Sequence, residues 1–183
     1  MTSREIFDMG IGGSGELQQI ISILEACGNY CLIGGMALNC YCEPVYTADS
    51  DFAIASENQE KVRQAFKDAG MKVKVNRYDM SIFVPNSKLT IHITTDERYK
   101  DFGSRATQRL ILDEISAKVA SIEDLLQGKL WCYNDPYRKV SKKYKDRTDL
   151  ARIGETFPEL LGRLPAEIRN DIEQQAEFDR DNG

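Results

Sequence analysis

The first part of the chain alternates between helical and strand periodicities. Apolar residues recur at the i, i+3, i+4 spacing of an amphipathic helix in some segments. In others they cluster in runs too short for a helix, which are typical of buried strands. The elements predicted in this way are a helix over 17–26, a strand over 30–34, a helix over 35–43 ended by Pro44, a strand over 50–55, and a helix over 58–69 followed by Gly70.

The second part begins with β-type patterns and ends with helical ones. "MKVKV", "MSIFV" and "KLTIHIT" predict three strands, with Pro85-Asn86 as a turn, and "RLILD" and "AKVA" predict two short ones. From Ser121, a predicted helix N-cap, the periodicity is helical. Helices are predicted over 138–153, from Thr156, where "TFPE" has the form of a capping box, and after Pro165.

This order of elements predicts an α/β (α+β) fold, in which a mixed β-sheet is flanked by helices and followed by a helical extension. A chain of 183 residues fits one domain. We place its core at about 17–120 and its C-terminal helical extension at about 121–183.

The composition is that of a globular protein, with 42% hydrophobic and 29% charged residues. No apolar run approaches the roughly 18 residues of a membrane helix, so we expect no membrane partner. The five cysteines are odd in number and do not form a disulfide-scaffold pattern. We therefore expect reduced thiols and a cytoplasmic location.

The charge is unevenly distributed along the chain. The net charge of −5 argues against a protein that coats nucleic acid wholesale. The segment 138–147, "RKVSKKYKDR", nevertheless places six basic residues within ten. It is either a solvated helix face or a surface that binds phosphate groups.

Two aspartates, Asp49 and Asp51, stand two positions apart beside the predicted strand 50–55. Side chains two apart in a strand point the same way, so both carboxylates would project from one face. Mg²⁺ typically takes one or two protein carboxylates together with substrate phosphates. The pair is either a divalent-metal site or two solvated acids at a strand end.

Gly34 and Gly35 fall where a predicted strand becomes a helix. Such a turn offers free backbone N–H groups, and glycine lets a phosphate approach the backbone closely. The two glycines either form a phosphate cradle near the aspartates or only permit a tight turn.

The stretch "IGGMALNCYCEPVYTADSDFAI" resembles minimal nucleotidyltransferases of the DNA polymerase beta-like superfamily. It is most similar to their AbiEii-type toxin branch, in which Gly-Gly and a helix precede Thr-x-Asp-x-Asp; here that motif begins at Thr47. Downstream, "VASIEDLLQGKLWCY" and "KDRTDLARI" resemble two helices of the family in the same order. The resemblance covers about 31–153.

This resemblance implies a nucleotidyltransferase-like fold and an enzyme that transfers a nucleotidyl group from a nucleoside triphosphate to an acceptor hydroxyl. It implies Mg²⁺ (or Mn²⁺) on Asp49 and Asp51, and nucleotide binding by Gly34, Gly35 and Thr47. The toxin-type relatives suggest an RNA such as tRNA as the acceptor and a cognate antitoxin protein as a partner. The alternative is a non-catalytic nucleotide- or RNA-binding descendant.

Lys129 continues an apolar helical stripe, so we expect its ammonium group on the inner face of its helix. The resemblance implies that Lys129 binds phosphates and takes part in catalysis; alternatively it only covers the edge of the core. Asp146 and Asp149 share a helix face directed at the core. They pair with Lys129, help to activate the acceptor (with Asp149 as the catalytic candidate), or form only a structural ion-pair network.

The chain departs from the family pattern at one position. The family often carries a third carboxylate in a later strand, and here His92 of "LTIHIT", the only histidine, stands at that place. Histidine is a poor Mg²⁺ ligand but a fair acid or base. Metal binding would then rest on Asp49 and Asp51 alone, or Asp96 or Glu97 would replace the acid, or activity would be weakened. A purely structural histidine is a further alternative.

Overall fold

The computed structural model describes residues 3–10, 13–47 and 49–182. Seven strands form one sheet. They are β1 (Tyr30–Ile33), β2 (Asp49–Ile54), β3 (Lys72–Val75), β4 (Asp79–Phe83), β5 (Thr90–Thr94), β6 (Thr107–Ile111) and β7 (Ile115–Val119). The helices are α1 (Ser3–Gly10), α2 (Ser14–Cys27), α3 (Gly34–Leu38), α4 (Gln59–Asp68), α5 (Phe102–Arg105), α6 (Ile122–Tyr133), α7 (Val140–Thr156) and α8 (Ala166–Asn182).

The sheet is mixed, with the strand order β3-β4-β5-β2-β1-β7-β6. β2 pairs with β5, and β1 with β7, in parallel. The other neighbouring strands are antiparallel. This mixed sheet with flanking helices confirms the predicted α/β (α+β) class.

The two faces of the central strands have different environments because polar and apolar residues alternate along them. Phe52 of β2, Met80 of β4 and Ile91 of β5 lie on one face and are completely buried. That face belongs to the core to which α2 and α4, which contact each other, also contribute. The opposite face carries polar residues such as Asp51 and His92.

Helices cover the polar face only in part. α5 contacts β1 and β2, and α7 packs along α6. The rings of Tyr99, Phe102 and Trp131 join α5 to α6, and the Phe102 and Trp131 centroids are 5.9 Å apart in a stacked arrangement. The uncovered part of the face, over β2, β5 and β4, is therefore the floor of a cleft.

Two predicted helices differ from the structure. The helix predicted over 35–43 ends at Leu38. The side-chain amide of Asn39 donates to the carbonyl of Val45 and accepts from the N–H of Val45, and these two bonds turn the chain back. The helix predicted from Thr156 is also wrong, because the Thr156 hydroxyl donates to the carbonyl of Arg152 within α7 instead of capping a new helix. A 3₁₀ turn follows at Pro158–Arg163.

Other local predictions are confirmed. Ser121 caps α6, since its hydroxyl accepts from the backbone N–H of Asp124 at 3.2 Å. Gly70 has a φ of +78° at the end of α4. The sequence patterns missed α1 and α5. Within the described ranges no helix is long and apolar enough to cross a membrane.

The different burial of the two faces predicts different costs for the loss of an aromatic ring. Phe52→Ala removes a ring that is 0% exposed and should lower the free energy of unfolding by about 3–5 kcal/mol. Phe83→Ala, on the other face and 44% exposed, should cost less than about 1 kcal/mol. Urea unfolding measures both, and equal losses would contradict the assignment of the faces.

Candidate active site

The turn from β1 into α3 is built around Gly34. Its φ of +73° lies in the left-handed region that favours glycine. A Cβ at this position would collide with the carboxylate of Asp51 on the neighbouring strand. Glycine is therefore required here for two reasons, and the backbone of the turn lies directly against that carboxylate. A Cβ at Gly35 would meet Thr47 Oγ1 at 3.6 Å, an ordinary contact.

Asp49 and Asp51 project from the same face of β2, as expected for residues two apart. The side chain of Asp49 is 33% exposed, and its Oδ2 lies 3.5 Å from the Nζ of Lys142. Asp51 is more sheltered. Burial raises its pKa, and the neighbouring charges of His92 and Lys129 offset this only in part. A sheltered carboxylate of this kind favours the approach of a cation.

His92 lies beside Asp51 on the sheet. The parallel pairing of β2 and β5 places the two residues in register, and the antiparallel pairing of β4 and β5 places Ser81 on the other side of His92. The Ser81 hydroxyl is 3.4 Å from Nδ1 of the imidazole. The other acids considered from the sequence are engaged elsewhere: Asp96 binds Arg98, and Glu97 accepts from Ser56.

Lys129 projects from α6 toward two buried carboxylates of α7. Its Nζ lies 2.5 Å from Oδ2 of Asp149 and 3.3 Å from Oδ1 of Asp146. Burial lowers the pKa of Lys129, but the two carboxylates outweigh that effect and hold the pKa above its ordinary value. Lys129 is therefore a charged ammonium group in a sheltered position. The geometry also shows that Asp146 and Asp149 pair with Lys129, which was one of the alternatives for these two acids.

Arg138 adds a second cation to this network. Its guanidinium makes a forked contact with Asp146, at 2.8 and 3.3 Å. Asp146 is only 1% exposed, so its charge is compensated by Lys129 and Arg138 together. Because Lys129 also pairs with Asp149, Arg138 supplies the second cation that balances the two buried carboxylates.

Arg152 connects the same network to the loop after α3. It donates to Asp149 at 3.0 Å, to the side-chain oxygen of Asn39 at 2.9 Å and to the carbonyl of Glu43 at 2.6 Å. Asp149 is 2% exposed, and its carboxylate points to Lys129 and Arg152. The structure therefore gives Asp149 contacts that orient Lys129 rather than a surface open to a substrate.

Most of the predicted site residues meet in one cleft with a volume of about 500 Å³. Its described lining includes Gly34, Asp49, Asp51, His92, Lys129, Arg138 and Lys142. Gly35, Thr47 and Asp149 are not part of that described lining. Thr47 is buried behind the turn, with Oγ1 at 3.5 Å from the carbonyl of Asp49, and Ala48 of the motif lies outside the described residues.

The sequence reasoning missed two lysines of α7. Lys142 pairs with Asp49, and Lys145 would lie 4.0 Å from a Cβ on Gly35 and lowers the pKa of Asp51 by its charge. Lys142 and Lys145 precede Asp149 by seven and four residues, so all three lie on the same side of α7. This spacing within the basic run could have identified the two lysines. Of the residues in that run, Arg138 and Lys142 are in the described lining of the cleft.

Polar residues of β4 were also missed. Asp79 and Ser81 line the cleft, and Asp79 accepts from the amide of Asn76 at 2.6 Å. They share a face with His92 because the antiparallel register aligns alternate residues of β4 and β5. The sequence could not reveal this, because the pairing of β4 with β5 was not predicted.

The carboxylates suit a divalent ion that is shared with a substrate. No group of three or more His, Cys, Asp or Glu side chains that could hold a metal ion occurs among the described residues. Asp49 and Asp51 offer two hard oxygen donors on one face, and burial already raises the pKa of Asp51. Two carboxylates completed by phosphate oxygens and water are the donor set that Mg²⁺ prefers.

Comparisons with known proteins bear on the fold. Neither a family model nor a curated protein sequence matches the chain. Among solved structures, the lincosamide antibiotic adenylyltransferase LnuA, bound to lincomycin, is similar with a TM-score of 0.52 and 18% identity, over 76% of this chain and 97% of that one.

Two further structures agree with that result. ANT(2")-Ia in complex with adenylyl-2"-tobramycin has a TM-score of 0.54 and 12% identity, over 88% of this chain and 97% of that one. An antigenic nucleotidyltransferase-like protein from Paracoccidioides brasiliensis has a TM-score of 0.50 and 17% identity, over 92% and 91%. These similarities establish a nucleotidyltransferase-like fold, and the AbiEii-type branch stays a prediction.

The ion-pair network predicts that Lys129 contributes to stability. Lys129→Met leaves Asp146 and Asp149 with one arginine each in a buried environment, and should lower the free energy of unfolding by about 3 kcal/mol. The control is Lys100→Met, which breaks an exposed pair with Glu97 and should cost less than about 1 kcal/mol. Equal costs in urea unfolding would show that the buried pair does not hold the helices.

Lys129 is expected to stabilise the fold, whereas the ionised carboxylate of Asp51 is expected to destabilise it. Because burial raises its pKa, the ionised form opposes folding at pH values above that pKa. Asp51→Asn should therefore raise the melting temperature at neutral pH without divalent ions. Asp49→Asn, at a more exposed position that already has Lys142, should raise it less. A lower melting temperature for Asp51→Asn in thermal denaturation would contradict this reading of its environment.

Proposed function

We propose that the chain is a nucleotidyltransferase, which uses a nucleoside triphosphate and Mg²⁺ (or Mn²⁺) to transfer a nucleotidyl group to an acceptor hydroxyl. One observation carries this proposal. In a nucleotidyltransferase-like fold, the carboxylates of Asp49 and Asp51 share a cleft with Gly34 and with Lys129 and Lys142. Two acids for a metal and several cations for phosphates are what this chemistry requires.

The phosphates would bind between the Gly34-Gly35 turn and the lysines. The backbone of the turn allows close approach, and Thr47 supports it from behind through its side chain near Gly35. Lys129 presents a fixed ammonium group from α6. Lys142 and Lys145 present more exposed ammonium groups from α7. Together these charges would neutralise the triphosphate and the pyrophosphate that leaves.

Asp49 and Asp51 would hold the divalent ion against the α-phosphate. Bound there, Mg²⁺ would polarise the α-phosphoryl group and stabilise the leaving pyrophosphate. The new bond joins the acceptor oxygen to the α-phosphorus, and the bond from that phosphorus to the bridging oxygen of the β-phosphate breaks. Asp149 takes no direct part and acts as a positioning residue that holds Lys129.

His92 would accept the proton of the attacking hydroxyl. It faces the cleft beside Asp51, where the family pattern often has an acid. A neutral imidazole can take up a proton near neutral pH, which a carboxylate with an ordinary pKa does only weakly. The same substitution favours the second candidate function, a catalytically weakened or inactive protein that binds nucleotide or RNA.

The acceptor we propose is an RNA, such as tRNA, and the partner we propose is a cognate antitoxin protein. Support comes from the toxin-like sequence motif and from the basic residues of α7 beside the cleft. Two structural neighbours are bound to antibiotic molecules, LnuA to lincomycin and ANT(2")-Ia to adenylyl-2"-tobramycin. Small hydroxyl-bearing molecules therefore belong in any acceptor screen for this chain.

The proposal predicts metal-dependent transfer that requires both acids. Incubation with each labelled nucleoside triphosphate, Mg²⁺ and total RNA should label the RNA. Asp49→Ala and Asp51→Ala should each lower the rate more than about 100-fold, because the metal loses half its protein ligands. Asp68→Ala, an exposed acid at the end of α4, is the control and should leave the rate unchanged.

Nucleotide binding separates the two candidate functions. If the wild type transfers nothing to RNA, protein or small acceptors, yet shows a thermal shift with nucleotide and Mg²⁺, the non-catalytic candidate replaces the enzyme. Absence of both transfer and nucleotide binding would overturn the two candidates together.

A further inference from the structure

The outer side of α7 exposes an unusual run of aromatic and apolar side chains. Tyr137, just before the helix, is 93% exposed, Val140 is 71% exposed and Tyr144 is 69% exposed. Val140 and Tyr144 lie one turn, about 6 Å, apart on the same side of the helix. The side chains that face the cleft and the core, such as Asp149, lie on the opposite side. Large rings this exposed are available to a ligand.

Basic side chains border these rings. Lys139 and Lys143 are exposed, and the Nζ of Lys143 lies 5.4 Å from the centroid of the Tyr133 ring. A shallow cavity of about 200 Å³ lies between the two kinds of residue. We call this the tyrosine–lysine surface; it consists of Tyr133, Tyr137, Lys139, Val140, Lys143, Tyr144 and Arg147.

The tyrosine–lysine surface continues into the cleft. Arg138 and Lys142 line the cleft. Arg138 lies between Tyr137 and Lys139 in the chain, and Lys142 is followed by Lys143. A ligand on the outer side of α7 can therefore pass its N-terminal end and reach Asp49, which is 3.5 Å from Lys142.

The chemistry of this surface selects a nucleic acid over a protein. Protein interfaces are depleted in lysine, whereas single-stranded nucleic acids are bound by aromatic rings that stack on bases and by cations that track phosphates. The basic run stands out in a chain whose net charge is −5, so its charge is local. We propose that the tyrosine–lysine surface binds a single-stranded RNA segment and leads its terminal hydroxyl into the cleft. The delivery step rests on the proposed function; the binding does not.

The test is RNA binding without nucleotide or metal, so that no transfer can contribute. Fluorescence anisotropy with a labelled single-stranded oligoribonucleotide compares the wild type with Tyr137→Ala and Tyr144→Ala. Each variant should weaken binding by about 5- to 100-fold, since each removes a stacking ring. Tyr144→Phe should bind like the wild type because it keeps the ring. Lys143→Gln should make the salt dependence of log K shallower by about 0.7.

Matched controls lie away from the surface. Tyr46→Ala removes another tyrosine that is 63% exposed, in the loop before β2, and Lys72→Gln removes an exposed lysine of β3. Both should leave RNA binding unchanged. The inference is overturned if the wild type does not bind the oligonucleotide, or if Tyr137→Ala and Tyr144→Ala bind it as tightly as the wild type. It is also overturned if an acidic peptide, and not RNA, occupies the surface.

The inference and the proposed function fail in different ways. Binding through the tyrosines without any transfer to RNA keeps the surface and overturns RNA as the acceptor. Transfer to RNA that is unaffected by Tyr137→Ala and Tyr144→Ala keeps the enzyme and overturns the surface.

Discussion

The buried ion pair between Lys129 and Asp149 is the interaction on which the rest of the site depends. It joins α6 to α7, and through Arg152 it reaches the loop after α3 that leads to Thr47 and Asp49. Buried ion pairs are weak contributors to stability, because the cost of desolvation nearly cancels their attraction. The contact makes sense as a means of holding an ammonium group at a fixed place in the wall of the cleft.

The floor and the wall of the cleft have opposite electrostatic characters. On the floor, the carboxylate of Asp51 packs against the Gly34 turn, and neighbouring cations compensate its burial only in part. In the wall, Lys129 and Arg138 reach the cleft, and they pair with Asp146 and Asp149, which are not part of its described lining. A ligand that joins a cation to a polyanion, as a metal–triphosphate complex does, is complementary to both at once.

Much of this arrangement was readable from local sequence. The strand period alone put Asp49 and Asp51 on one face, and the helical period alone turned Lys129 inward. The pairing of strands was not readable, because it depends on contacts far apart in sequence. Asp79 and Ser81 were therefore not predicted as site residues. The resemblance singled out His92, and the parallel register of β2 and β5 places it beside Asp51. The predicted helix over 35–43 was wrong because a side chain, Asn39, ended it through bonds that helix propensity does not contain.

The contact between Lys142 and Asp49 has a consequence for the order of events in the cleft. In the structure this exposed ammonium group already balances one of the two floor carboxylates. A lone divalent ion would meet a partly neutralised site and would have to compete with a tethered cation. Phosphate groups attract the same lysine, and each step that draws it from Asp49 uncovers a negative charge. In the proposed function, binding of the metal and binding of the nucleotide would thereby be coupled, each making the site more receptive to the other.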